Sequence, residues 1–321
     1  MPANSWEIEA AEKEGIELQL LPTAGSVENL ARLHDRRSHV DISFLLSGMT
    51  SSMDKSGLES LGTVFYEPLW FFYRTEYRAK GLKGLRGKKI SIGAEGSGTR
   101  MIALKLLSLN GINESFAQLI SLAPQQAGEK LLRNEIDAAF MLTSWDSPAV
   151  QRLMTGDNIE LASFPRTDAY IARYPFLNKL TVPAGVADLA KNRPPADVLL
   201  FAPKASLVVR QDLHPAIQYL LLDAAETIHS GPGIFQKAGQ FPAAESIDLP
   251  LSAEAHQFYK SGRPFLQRHL PFWLAVLVDR LLVLLIPVVG VIYPLVQVLP
   301  TLYDKAMRQR IYRLYGELRF L

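Results

Sequence analysis

No cysteine occurs in the 321 residues. That absence removes disulfides, thiolate metal sites and cysteine nucleophiles together. It leaves the compartment open, because exported domains without disulfides exist. An excess of one charge is also lacking: 34 Lys and Arg stand against 32 Asp and Glu, a formal net charge of +2. No basic block with interleaved aromatics occurs, so nucleic acid is not an expected partner. The six histidines form no H-x-x-x-H or H-E-x-x-H pair, and no metal or cofactor is expected. His214 precedes Pro215 at a helix start, where its role is structural. Short fixed-period repeats and low-complexity segments are absent. The opening MPANSWEIEAAEKEG has no basic stretch followed by an apolar one, so it is no signal peptide. An exported main domain then requires either insertion directed by the C-terminal segment or, as expected here, a natural N-terminus upstream.

What is present is apolar material, 48% of the chain, enough for about two compact units. It is unevenly spread. Leu281–Leu299 reads LLVLLIPVVGVIYPLVQVL, without a charge and with Gln297 as its polar residue. The run is close to the ~20 residues a helix needs to cross ~30 Å of hydrocarbon. Trp273, Tyr293 and Tyr303 suit the membrane interfaces. Lys305, Arg308, Arg310, Arg313 and Arg319 follow it and predict a cytoplasmic tail, while Asp279 and Arg280 fall at the outer interface. The expected location is the bacterial inner membrane, with the main domain periplasmic or otherwise extracytoplasmic. The other reading of the run is a buried C-terminal helix, kinked at Pro287 and Pro294.

Short apolar runs alternate with amphipathic stretches, the pattern of a mainly parallel sheet flanked by helices. Strands are expected at Ile16–Leu21, Val40–Leu46 and Thr63–Tyr73, with a helix at Ser26–His34 capped by Ser26. Tyr77–Lys89 (YRAKGLKGLRGKK) reads as a basic connector. A second lobe follows: strand Lys89–Gly93, helix Thr99–Leu109, strand Gln118–Leu122, helix Gln125–Arg133 and strand Ile136–Leu142. From about Ile159 the chain returns to the first lobe, with strand Val198–Val209 and helix Leu213–Ser230. The expected divisions are 1–76 for the N-terminally incomplete first lobe, 77–158 for the second and 159–265 for the return. An anchor at 271–303 and a tail at 304–321 complete the chain.

In an open α/β sheet, ligands bind beyond the carboxyl ends of the strands. Small polar segments occupy such places: Thr23-Ala24-Gly25-Ser26, Ser47-Gly48, Glu95-Gly96-Ser97-Gly98-Thr99 and Thr143-Ser144-Trp145. Two lead directly into helices, whose free N–H groups and positive dipole ends hold anions. Ser26, Ser97 and Thr99 add hydroxyls. Ordinary capping is the competing reading of Ser26 and Thr99, and turn geometry that of the glycines. Within the aromatic run FYEPLWFFY, Glu67 precedes Pro68 near the lobe crossover and would suit an amino group on a ligand. Gly93–Thr99 is G-x-x-G-x-G, which is neither a dinucleotide fingerprint nor a P-loop. Ser52–Lys55 matches S-x-x-K by chance, since no K-T-G or S-D-N follows.

TAGSVENL (Thr23–Leu30), GSGTR (Gly96–Arg100) and IDAAFML (Ile136–Leu142) resemble the TAXI family, solute-binding proteins associated with TRAP-type transporters. PRTDAY (Pro165–Tyr170), LHPAIQYLLLDAAETIH (Leu213–His229), GPGIFQ…GQFP (Gly231–Pro242) and PFWLAVLVDRLLVLLIP are similar to a membrane-anchored branch of it. The resemblance implies a two-lobed type II periplasmic-binding-protein-like fold, here with a C-terminal transmembrane helix. It implies that Thr23, Ser26, Gly96, Ser97 and Thr99 line the pocket, and that TRAP-type permease subunits are partners. Two departures stand out. The family's opening strand and glycine-rich turn are absent, and Leu142–Trp145 replaces small residues, so Trp145 narrows or caps the pocket.

The expectation is therefore a non-enzymatic, membrane-tethered receptor. It would capture a small anionic, carboxylate or amino-acid-like solute with Thr23, Ser26, Ser47, Gly48, Glu67, Gly96, Ser97, Thr99 and Trp145. The alternatives are a membrane-anchored sensor or adaptor with a non-binding cleft, and an enzyme on the same fold.

Overall fold

A computed structural model describes residues 18–48, 54–77, 84–112 and 116–262, with isolated helical positions between 278 and 308. The chain separates into two compact units, Met1–Arg263 and Pro264–Leu321. Among the described residues no helix is long and apolar enough to cross a membrane. Most of the apolar run 281–299, of the expected anchor and of its basic tail lies outside the described residues.

The first unit holds two sheets. In the first, strand β1 (Ile42–Leu46) and β2 (Leu58–Tyr66) lie on either side of the long β9 (Val198–Arg210), which also pairs with β8 (Leu177–Val182). All of these pairings are antiparallel. The second sheet runs β5 (Gln118–Ile120), β4 (Lys89–Ser91), β6 (Ala138–Leu142), β3 (Leu69–Arg74), β7 (Ile159–Leu161). Only β4 is parallel to its neighbours, β5 and β6. The expected mainly parallel architecture is thus corrected: β9 enters the first sheet from the far end and reverses its sense against both partners.

The helices are α1 (Ser26–His34), α2 (Gly98–Leu109), α3 (Pro124–Leu132), α4 (Pro148–Thr155), α5 (Thr167–Arg173), α6 (Pro215–His229) and α7 (Ala253–Ser261). Proline opens α3, α4 and α6, where its fixed φ suits the first turn and its missing N–H leaves no bond unmade. The Ser97 and Ser252 side chains cap α2 and α7.

Strand β3 is apolar on both faces because both faces are covered. Leu69, Trp70, Phe71 and Phe72 are at most 2% exposed, and Phe71 stacks on Phe140 of β6 with ring centroids 4.0 Å apart. Each such side chain contributes roughly 1.5–3 kcal/mol on burial. One continuous core runs through both sheets, and a smaller one holds Leu30, Leu33, Leu45, Leu58, Val208 and Leu249 between α1 and the first sheet.

Three expectations change in ways that matter for the site. The single strand expected at Thr63–Tyr73 is two strands in different sheets. Pro68 lacks the N–H that would continue the ladder, and the Glu67 N–H turns to Pro203 O at 3.1 Å. The chain therefore passes between sheets at Glu67–Pro68 and again after β7, at 162–164, instead of at 76/77 and 158/159. Finally, Leu18–Leu21 is not a strand, and Leu20 and Leu21 are exposed. The edge of β1 that could receive another strand is already served by α1: Asn29 Nδ2 donates to Phe44 O at 2.9 Å and Ser26 Oγ accepts from Leu46 N at 3.0 Å.

Candidate functional site

The N-cap of α1 is Gly25, not Ser26. Gly25 has φ 134° and ψ −161°, a conformation essentially restricted to glycine. Ser26 is the first helical residue and is buried. Its hydroxyl holds the last N–H of β1, that of Leu46. The second lobe uses the same device. Thr99, in the first turn of α2, accepts the last N–H of β6, that of Leu142, at 3.2 Å. Ser97 caps its own helix by accepting from Arg100 N at 3.2 Å and donates to Ala94 O at 2.6 Å. Capping thus falls to Ser97, for which it was not expected. Ser26 and Thr99 instead pin a strand end beneath their helix.

The two helix starts meet. A Cβ on Gly25 would stand 3.4 Å from Ser97 Cα and 3.6 Å from Gly98 N. From this contact a ring of neighbours can be followed through both lobes. Ser26 joins Leu46. Just past the end of β1, Ser47 gives both its N–H (2.9 Å) and its hydroxyl (2.8 Å) to Lys204 O. The preceding carbonyl of β9, Pro203 O, takes the N–H of Glu67. Pro68 O receives a long, weak contact from Thr143 N at 3.5 Å, and Thr143 follows Leu142, which returns to Thr99. Ser26, Ser47, Glu67, Ser97 and Thr99 therefore stand around one ring at the Glu67–Pro68 crossing, with Gly48, Gly96 and Trp145 adjoining it. Thr23 lies to one side, its hydroxyl bonded to the Asn29 side chain at 2.5 Å.

Not all of this ring is open to a ligand. The Gly48 N–H donates to Asp248 Oδ2 at 2.6 Å, so one of the chain's own carboxylates sits at that strand end. The Phe176 ring lies against Gly48, where a Cβ would approach ring atoms to 2.3 Å. The Trp145 ring lies 5.9 Å from Trp70, whose indole N–H donates to Thr143 O at 2.9 Å. Phe176, Asp248, Lys204 and the capping role of Gly25 escaped sequence reasoning. Asp248 and Phe176 reach Gly48 from 200 and 128 positions away, and no local pattern signals that.

Electrostatically the two helix starts differ. At α1, Glu28 accepts the Ala24 N–H at 2.7 Å and pairs with Arg32 at 2.6 Å. The backbone hydrogen bond first, then the Arg32 contact, holds its carboxyl below the usual range. The positive end of α1 is thereby compensated. At α2 the first turn has no acidic residue and carries Arg100 instead, whose guanidinium donates to Ser121 Oγ at 2.6 Å. The N–H groups of Gly98 and Thr99 belong to that uncompensated turn. Burial pushes the Glu67 carboxyl up to about 7. Among the described residues no cluster of three His, Cys, Asp or Glu could hold a metal ion.

Fold and ring together define a mixed α/β domain of two sheets joined by two crossings, with small polar strand ends gathered at the joint. The chain belongs to the NMT1-like family, whose model matches residues 3–261. Its structural neighbours include periplasmic solute-binding proteins. A protein from Bordetella bronchiseptica RB50 is 19% identical, with 69% of this chain and 64% of that one covered and a TM-score of 0.45. The periplasmic aliphatic sulphonate binding protein SsuA from Escherichia coli is 12% identical, with coverage of 70% and 66% and a TM-score of 0.42. An ancestral arginine-binding protein bound to arginine is 13% identical, with coverage of 70% and 80% and a TM-score of 0.38. The chain spans just under two thirds of the length of the first two.

Proposed function

We propose that this chain is a membrane-tethered extracytoplasmic receptor that captures a small anion, a carboxylate or sulfonate, between its two lobes without covalent chemistry. One observation carries the proposal. The N-termini of α1 and α2 come from different lobes and meet at Gly25 and Ser97, and the α2 end has a cation and no acid in its first turn. Glu28 already offsets the positive end of α1, so the α2 end, with about +0.5 charge and free N–H groups, is the one that an anion lodged at the joint would neutralise. Membership of a family with solute-binding neighbours supports the reading, as does the TAXI resemblance, which adds a TRAP-type permease as partner. Tethering through 281–299, with the main domain outside the cytoplasm, is part of the same proposal and rests on the sequence.

A second reading, an adaptor whose cleft takes no solute, is favoured by the internal use of the ring. Ser26, Ser47, Gly48 and Thr99 all make hydrogen bonds within the chain.

Thermal unfolding of the detergent-solubilised full chain separates the two. The panel holds dicarboxylates, keto acids, amino acids and alkyl sulfonates. A ligand at ~100 times its dissociation constant adds about 2.7 kcal/mol, raising the midpoint of a domain of this size by at least about 5 °C. A selective rise supports the receptor. A cooperative melt that no compound moves supports the adaptor.

A further inference from the structure

The β8–β9 hairpin belongs to the first sheet through the second half of β9, which pairs with β1 and β2. Its first half, paired with β8, continues past that sheet, and the 183–197 connection projects from it. The root of the arm is fixed at the second crossing, where Phe164 N donates to Leu199 O at 2.8 Å and Leu199 N to Ser163 Oγ at 3.0 Å. Within the arm, Arg193 is fixed by a two-way backbone bridge to Asp188, at 2.9 and 3.3 Å.

From there its guanidinium reaches the other lobe. Nη1 donates to Thr155 O at 2.9 Å and to Gly156 O at 2.5 Å, and Nη2 to Asp157 Oδ1 at 2.7 Å. Those acceptors are the C-terminal end of α4 and the turn into β7, a strand of the second sheet. A cation suits the unpaired carbonyls and negative dipole end of a helix C-terminus. The Arg193 side chain is 25% exposed and its partner Asp157 is 80% exposed. This contact is thus a partly buried fork on backbone carbonyls, steadied by an outer carboxylate. It differs from an isolated surface ion pair, whose worth would be small.

We propose that Arg193 is the latch of a strap: the β8–β9 arm, hooked onto the end of α4, sets the angle between the two lobes and limits their opening. The chain passes between the lobes at two crossings, which would allow hinge motion, and the lobes also touch at Gly25 and Ser97 and through Asn110, which bonds Tyr170 and Arg166. The latch acts within the chain, so the proposal stands whether or not a solute is bound.

The absence of cysteine makes the test direct. Spin labels are placed on the full-length chain at Gln126→Cys on α3 and His256→Cys on α7, both exposed positions, and the distance distribution is measured without ligand. Arg193→Ala should broaden it and shift its mean. Arg193→Lys should restore it in part, because an ammonium is a point donor without the planar fork. Asp157→Ala, at an exposed position where folding is not at stake, should broaden it less than Arg193→Ala. A distribution in Arg193→Ala indistinguishable from the parent would overturn the proposal. If Arg193→Ala loses its cooperative melt, Asp157→Ala decides: an unchanged distribution in that variant overturns it equally.

Discussion

Gly25 and Ser97, the caps of two helices from different lobes, face each other across the joint between the sheets, so that a Cβ on Gly25 would stand 3.4 Å from Ser97 Cα. Such a Cβ would make ordinary contact with Ser97 and Gly98, so what requires glycine here is the backbone, with φ 134° and ψ −161°. Gly25→Ala should therefore lose about 1–3 kcal/mol from backbone strain, with lobe separation unchanged. Gly96→Ala is the control. Gly96 also has a positive φ, 74°, but open space where a Cβ would go. It should lose about 1–2 kcal/mol without changing lobe separation. Denaturant melts with small-angle scattering check both; a change of scattering in either variant, or no loss of stability in Gly25→Ala, would contradict the account.

Ser26 and Thr99 pair with Leu46 and Leu142 in the same way, one in each lobe. Removing either hydroxyl leaves a buried strand-end N–H unpaired, at about 1–3 kcal/mol. Ser26→Ala and Thr99→Ala should each lower stability by that amount before any ligand is added, as read from denaturant midpoints. Loss of ligand binding in these variants does not by itself demonstrate ligand contact.

Two half-buried titratable groups oppose each other in pH dependence. Glu67 is raised from 4.5 to about 7 by burial. The folded state holds a proton there that the unfolded state releases, so its contribution is present at low pH and is lost as pH rises from 4.5 through 7. His229 is lowered from 6.5 to about 4 by burial, with its ring 5.3 Å from Phe65. Its contribution is present above 6.5 and is lost as pH falls toward 4. The windows overlap, and the two slopes largely cancel in the parent. Glu67→Gln should leave stability falling by about 1–2 kcal/mol from pH 6.5 to 4, allowing for water around the side chain. His229→Gln should leave it rising over the same acidification. Denaturant midpoints at five pH values would show this, and parallel profiles in both variants would refute the assignment.

Much of this was legible in the sequence, because local chemistry encodes it. Proline at the first turn of α6 marks a helix start, and the apolar run of β6 marks a strand buried on both faces, whereas α4, which Pro148 also opens, went unread. Pro68 carried the signal that one aromatic run is two strands, but the density of Leu69–Phe72 masked it. What was not legible depends on distant partners. Nothing near Val198 announces a strand that reverses the first sheet, and nothing near Gly48 announces Asp248 or Phe176. The strand-end segments were found because glycine and hydroxyl residues cluster there. That clustering could not reveal that several of their polar groups are spent on holding the strand ends.

Hydrogen exchange at the helix starts tests the central claim most directly. The full chain in detergent is compared with and without a saturating concentration of the panel compound that raises its melting midpoint most. Capture of an anion between the opposed helices predicts slowed exchange at the Gly98 and Thr99 amides, with Ser26 and Val27 following more weakly because Glu28 already compensates α1. Protection confined to other segments, or no panel compound that slows these amides, would contradict it.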